Sequence, residues 1–471
     1  MSATFPIETE LDEERIDDLL EFLYKYYLLS QPQHFTNVSK YQIDGKNFLS
    51  CTAIYLDVSF GTYWYIDIKI KAVKPIQVEI SSKVFVISPE IVEGIRTELY
   101  NQIRGFEQLT KNSVLNLAWV QGKEFVAERL RTPRRESVQG FFSDTMILLF
   151  ILFMAMSFLF FTLFDMYAPI LLVAIQSIIV LVSDKILIRS GDWLVTPKTP
   201  FLNLVRCRLP LGEYIQPKQK LGEELVTKIK REIQGRTMVQ LMGFTPQLAS
   251  DVLKDVGITC PPENISVKAV DVYGLVSEAS GKHRLPTPKI AISNTMLPNA
   301  AASGPVPSHG IVIITTGLLS RLNEEEVLGV LGHELSHLKN HDPLTLFLLS
   351  AAEYLLRVYV FLPLIFWFPY IYFFFAMSLI FFIAKILEAR ADLESAIVTG
   401  KPRMLASALR KIGARRLEMP SFGIGEWLNW EPHPPIRFRI ARLEKLKTTE
   451  IEHPFIQSVK DVIEGFLGSF R

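Results

Sequence analysis

Four apolar runs constrain this chain more than any other feature of its sequence. Residues 145–164 carry no charged side chain. At 1.5 Å rise per residue, about 20 residues cross the roughly 30 Å hydrocarbon core of a bilayer. Residues 168–183 are apolar again, up to Asp184 and Lys185. A second pair lies at 344–362 and 364–387, with Pro363 and Pro369 at the turn. Only helices and closed barrels satisfy their backbone polar groups inside lipid, so the runs read as two helical transmembrane hairpins. The second pair contains Glu353 and Arg357, four apart on one helical face. Each alone at mid-bilayer costs about 2.5–3.5 kcal/mol, so they either pair or face a polar cavity.

Lys and Arg near the span ends set the orientation. Arg129, Arg131, Arg134 and Arg135 precede the first run, Lys185 and Arg189 follow the second, Lys339 precedes the third, and Lys385 and Arg390 follow the fourth. The loops around Asp165 and Trp367 carry neither residue. Both hairpins are therefore expected to enter from the cytoplasm and return to it. The hairpins occupy 141–189 and 344–387, and leave soluble blocks at 1–140, 190–343 and 388–471. Composition agrees with such a hybrid: 21% of residues are charged, too many for a pure membrane bundle, yet mean hydropathy is +0.23. Lys and Arg total 50 against 49 Asp and Glu, so no basic excess marks a nucleic-acid partner. Cys51, Cys207 and Cys260 are far apart and form no C-x-x-C pair, which excludes a cysteine-rich zinc site.

In the first block, residues 12–29 have helical periodicity, 63–71 alternate apolar and polar, 76–87 read as a strand and 89–108 as a helix. This is a small α+β domain with no evident chemistry. In the second block, 221–256 read as helical, with short strands at 288–293 and 310–316 around a Gly/Pro/Ser-rich loop.

Chemistry enters at NEEEVLGVLGHELSHLKNHD. Asn323 followed by Glu326 fits a capping box at a helix N-terminus. His333 and His337, four apart, share one face of that helix and can hold one zinc ion, with Glu334 beside them as a general base. Zinc lowers the pKa of a water ligand toward about 7. His341 is eight residues from His333, about 12 Å along a straight helix, too far to share the ion. The metzincin pattern fails, because Asn340 and Pro343 stand where it needs Gly and His. Glu388 is the better third ligand, with Asp392 one turn on to orient a ligand His, although Glu388 also reads as a surface carboxylate. Glu353 is the second choice. His433 and Arg439, in HPPIRFRIARL, fit either an oxyanion contact or a basic interfacial helix.

Five stretches in order resemble the HtpX family of membrane zinc metalloendopeptidases, gluzincins related to the CAAX prenyl endopeptidases. They are PNAAASG at 298–304, ITTGLLSRLNEEEVLGVLGHELSHLKNHD at 314–342, LEARADLESA at 387–396, LASALRKI at 405–412 and HPPIRFRIARL at 433–443. The resemblance covers about a third of the chain. It implies one Zn2+ per chain held by His333, His337 and Glu388, Glu334 as catalytic acid/base, and Asp392 behind the ligands. It also implies substrate-backbone contacts at Asn299 and Ala300 near an edge strand, and transition-state or substrate contacts from His433 and Arg439. Ala301 stands where the family usually has Phe or Tyr, and Ala389 where it usually has Tyr. Residues 1–140 have no counterpart in the family.

The expected fold class is mixed. A four-span α-helical membrane region joins a mainly α-helical zincin catalytic domain with a small β-sheet, built from 190–343 and completed by 388–471, and an N-terminal α+β domain at 1–140. The expected activity is zinc-dependent cleavage of misfolded or damaged membrane proteins, a quality-control and stress-response role. The partners are polypeptides and the lipid bilayer, and the location is the cell membrane with the active site cytoplasmic. Two alternatives differ in one feature each: CAAX-type processing needs the seven-span chamber of that relative, and a non-catalytic zinc protein with a binding N-terminal domain would tolerate loss of Glu334.

Overall fold

The computed structural model describes residues 2–11, 15–57, 62–82, 87–111, 114–120, 123, 158–188, 191–208, 232, 245–255, 257–417, 423–446 and 451–470. The first apolar run up to residue 157, the basic stretch at 129–135 and most of the expected helix at 221–256 lie outside the described residues.

The N-terminal unit is a five-stranded sheet in the order β1-β5-β4-β3-β2, every pair antiparallel. Its strands are β1 (Ser2–Ile7), β2 (Phe35–Ile43), β3 (Lys46–Asp57), β4 (Thr62–Lys71) and β5 (Ile76–Ser81). Period-two alternation does what it should in β4: Ile66, Ile68 and Ile70 are buried, while Tyr65 and Lys69 face out. Asp44 and Gly45 close the β2–β3 hairpin with φ of 50° and 73°, the two positive φ values that a two-residue turn between right-twisted strands needs. Helices α1 (Ile16–Phe22), continued as a π-helical turn Leu23–Leu28, and α2 (Pro89–Lys111) contribute to this unit's own apolar core.

Strand β6 (Val114–Val120) leaves that unit. It pairs antiparallel with β8 (Phe201–Arg208), which pairs with β9 (Ile265–Asp271). A second sheet runs β11-β12-β10-β7, built from β7 (Trp193–Val195), β10 (Lys289–Ser293), β11 (Ala300–Ser303) and β12 (Ile311–Thr315). β10 and β12 are parallel, and β11 lies antiparallel at the edge. Both sheets share one core with helices α5 (Val272–Lys282), α6 (Glu324–Lys339), α9 (Pro402–Leu417) and α10 (Ile436–Lys445). Helix α4 (Pro246–Asp255) packs on the other face of the three-stranded sheet, against Leu117, Val205 and Ile265.

Among the described residues, two helical stretches are long and apolar enough to cross a membrane: Phe158–Leu181, which ends in α3 (Ala168–Leu181), and α8 (Pro369–Thr399). Between α6 and α8 lies α7 (Asp342–Tyr359), 18 residues with Asp342, Glu353 and Arg357 in it. Glu353 and Arg357 form an ion pair at 3.4 Å, and Tyr372 donates to Glu353 at 3.1 Å, so the two partly buried charges neutralise each other. Tyr359 at the far end of α7 donates to the carbonyl of Met166, which brings the turns after Phe164 and after α7 together. The apolar half of α8 ends at Lys385; its second half continues into the soluble core. Helix α11 (Pro454–Gly468) packs along α8.

Candidate metal centre

Helix α6 carries the first three expected residues. Asn323 accepts from the Glu326 N–H and Glu326 returns a bond to the Asn323 N–H, both at 2.9 Å, so the capping box fixes where the helix begins. His333 and His337 then fall on the same face, their rings 4.8 Å apart and edge to face. Helix α8 presents Glu388 to this face. His333 Nε2 and His337 Nε2 are 3.2 Å apart; Glu388 Oε2 lies 3.3 Å from the first, and Oε1 lies 3.2 Å from the second. A tetrahedral zinc with ligands at about 2.0–2.1 Å holds its donor atoms about 3.3 Å apart, so this spacing fits such an ion. Glu388 Oε2 is buried with no hydrogen-bond donor among the described residues, an unmet acceptor that a cation would satisfy. Among the described residues, this trio is the cluster of His and carboxylate side chains able to hold a metal.

The outer nitrogens of both imidazoles are held by carboxylates. His333 Nδ1 lies 2.9 Å from Asp392 Oδ1, and Asp392 is gripped by Arg439 through two bonds of 2.8 and 2.7 Å. His337 Nδ1 lies 2.8 Å from Asp342 Oδ2, and Asp342 in turn accepts from Arg390. Both pairs present Nε2 to the centre and fix the ring planes. Burial opposes a charge on His337, but Asp342 and Glu388 outweigh it and raise its pKa to about 10; the cavity favours positive charge.

Glu334 sits beside the trio, facing β11. Its Oε2 accepts from the Ala302 N–H at 3.1 Å. Burial raises its carboxyl above the ordinary range, against the opposing pull of His333 and His337. The Asn299 N–H donates to Thr315 Oγ1 at 2.9 Å, and its carbonyl accepts from the Thr315 hydroxyl at 2.9 Å and from the Thr315 N–H at 3.0 Å, so the Asn299 main chain faces β12. Alternation then turns the main-chain groups of Ala300 and Ala302 toward the open edge of the sheet, along α6. Ala301 is exposed.

His433 precedes α10, half exposed, with Nε2 3.5 Å from Glu388 Oε2; burial and the Arg439 charge hold it below its usual pKa, against the pull of Glu388. Arg439 is buried, with its guanidinium on Asp392 and 3.8 Å from Glu388. His333, His337, Glu388, Glu334, Asp392, His433 and Arg439 thus lie together, whereas Glu353, the second choice for a ligand, is paired with Arg357 and Tyr372 instead. Two were missed. Asp342 and Arg390 complete the His337 side, and the signal was the helix break at Asn340–Pro343: His341 takes φ of 57°, which swings Asp342 back under His337.

Residues 268–447 match Peptidase family M48. The protein described as Protease HtpX homolog 2 of Methanosarcina mazei is 31% identical over 216 residues, 38% of this chain and 74% of its own. Protease HtpX homologs of Desulfatibacillum aliphaticivorans and Paenarthrobacter aurescens are each 35% identical, over 37% and 38% of this chain and 68% and 73% of theirs. The crystal structure of S. mikatae Ste24p aligns with 66% of this chain and 86% of its own at 14% identity, with a TM-score of 0.30.

Proposed function

Since the chain belongs to the HtpX family of M48 metallopeptidases, we propose that it is a zinc endopeptidase of the membrane, cutting polypeptides at the cytoplasmic bilayer surface. One observation carries the reading: three donor atoms 3.2–3.3 Å apart, with a buried carboxylate beside them, next to an open strand edge.

His333, His337 and Glu388 would hold one zinc per chain. When bound, it supplies the Lewis acidity that polarises the scissile carbonyl and acidifies water. Glu334 takes a proton from the attacking water and passes it to the leaving amine. Its raised pKa suits both steps. The Ala302 N–H fixes the Glu334 side chain for this exchange. The substrate lies extended on β11, main chain to main chain, using the Ala300 main-chain groups and the Ala302 carbonyl at the edge, with Asn299 at its start. His433, half exposed at the rim, donates to the oxygen that becomes negative as water adds. Arg439 acts through Asp392, holding the His333 ring rather than touching substrate.

Placement suggests the substrates. Glu388 is three residues beyond Lys385, about 4.5 Å along α8, so the site lies directly beneath the membrane surface. Four spans, in two hairpins entered from the cytoplasm, agree with the Lys and Arg distribution and with the bond between Tyr359 and Met166. Segments of misfolded or damaged membrane proteins would reach such a site first, a quality-control role. The test is reconstituted protein, stripped with a chelator and reloaded with zinc, offered casein and a destabilised membrane protein. Cleavage that returns with zinc supports the proposal, and faster cutting of the membrane protein supports the substrate class. Cleavage indifferent to chelation and reloading contradicts it.

A further inference from the structure

The outer face of α11 is apolar where a soluble helix would be polar. Ile456, Ile463 and Leu467, spaced seven and four apart, lie along one side and are exposed, with Phe455 exposed beside them and Phe470 exposed in the turn just after the helix. The inner face is used up. Ser458 and Asp461 take Arg442, whose Nη1 also reaches the carbonyl of Ala389, and Val462 packs with Ala389 and Trp427. Gly465 allows the close approach, since a Cβ there would stand 2.7 Å from Phe438 and 2.9 Å from Trp427.

Depth can be read from α8. Val462 packs at Ala389, and Phe466 meets Phe382 with ring centroids 5.7 Å apart. The two helices therefore run in opposite directions, and α11 descends toward the apolar half of α8. Phe382 lies three residues inside Lys385, about 4.5 Å. Phe470, edge-on to Phe466 at 5.3 Å, extends further the same way. A second element reaches this level. Lys385, fully buried, donates to the carbonyls of Asn429 and Glu431 and so pins the loop that carries the exposed Trp430 to the end of the apolar stretch.

We propose that the last turns of α11, with Trp430, form a membrane-interface foot: Leu467 and Phe470 enter the headgroup–acyl boundary beside α8, and Trp430 sits at headgroup level. Interfacial helices bury their apolar face about 5–10 Å in that zone, and Trp concentrates there. The occupant is lipid because Phe466 and Phe470 carry the end of the stripe to the level of Phe382, inside the apolar half of α8. The foot fixes the height of the site, since Ala389 follows Glu388 and is held by Arg442 of α10, which also holds α11. The proposal rests on α8 as a membrane span, but not on proteolysis.

The test uses the full chain in phosphatidylcholine–phosphatidylglycerol nanodiscs. Single cysteines, Leu467→Cys, Phe470→Cys, Gln457→Cys and Phe375→Cys, carry an environment-sensitive fluorophore; the native cysteines are buried, and the parent chain reports background labelling. Quenching is read from doxyl-labelled lipid and from aqueous iodide. Labels at 467 and 470 are expected to shift to the blue, respond to shallow doxyl groups and lose iodide quenching, while 457 responds to iodide alone. Iodide access at 467 and 470, with 375 still quenched by lipid, overturns the foot and leaves the span. Protection from both quenchers at 467 and 470 assigns the stripe to a second protein copy and also overturns it. Iodide access at 375 removes the span, and the foot with it.

Discussion

At the scale of single residues, each imidazole is held by a carboxylate that is held by an arginine: His333–Asp392–Arg439 and His337–Asp342–Arg390. Such partners fix which nitrogen faces the metal, and losing one typically weakens binding by about 10–100-fold. Asp342→Asn is therefore expected to lower zinc affinity by that factor, measured by competition with a chromophoric chelator, and Arg390→Met to lower it less. Unchanged affinity in both would confine their role to packing. The first triad was half legible in the sequence, because Asp392 is one turn from Glu388 on a helix and period alone places it. The second was not, because it depends on a left-handed His341 that no periodicity announces. His283 makes a separate prediction. It is buried against the Gly332 backbone, near Lys339 and Glu394, and burial first, then Lys339, lowers its pKa from 6.5 to about 4. The unfolded chain thus binds a proton below pH 6.5 that the folded chain refuses down to about 4. Stability should fall as pH drops through that window, by about 3 kcal/mol in all. In thermal unfolding, His283→Leu should flatten this part of the pH profile relative to the parent; parallel profiles would contradict the assignment.

At the scale of elements, α6 and α8 must lie close enough for Glu388 to reach both histidines. Small residues make this possible. Ser395 donates to the Gly329 carbonyl at 2.6 Å, and a Cβ on Gly332 would stand 2.8 Å from Ser395 Oγ but 3.4 Å from Ser395 Cβ. Gly332→Ala should therefore destabilise by about 1–3 kcal/mol, as overpacking does. The pair Gly332→Ala with Ser395→Ala should be more stable than Gly332→Ala alone, since the offending oxygen is gone. Additive losses in thermal unfolding would show that the helix contact does not set the spacing. The capped helix, the apolar half of α8 and the short strands β10 and β12 could be read from local pattern. The crossing of α6 with α8 could not, because it joins residues more than 50 positions apart through a serine and two glycines that carry no signal of their own. Nor could the pairing of β6 with β8, which bridges the first apolar hairpin.

At the scale of the molecule, the N-terminal unit has its own core, and Glu8 and Glu10 reach Arg410 and Arg321 at 3.4 and 3.7 Å. Arg410 is 41% exposed, so that pair is worth at most about 1 kcal/mol. β6 is another matter, since it supplies Ala118 and Val120 to the core shared with α6. A chain beginning at residue 112 should keep its fold and its zinc, while one beginning at residue 123 should lose thermal stability and metal together. Equal behaviour of the two would mean that β6 is dispensable. The central claim is that His333, His337 and Glu388 hold a zinc ion for which Glu334 moves the proton. It is tested most directly by measuring zinc content and casein cleavage together, in the purified parent and in Glu334→Gln. The expected result is about one zinc per chain in both, with cleavage reduced about 100- to 10,000-fold in the variant, the range for loss of a general base. Undiminished cleavage by Glu334→Gln, or a parent chain that takes up no zinc, would contradict it.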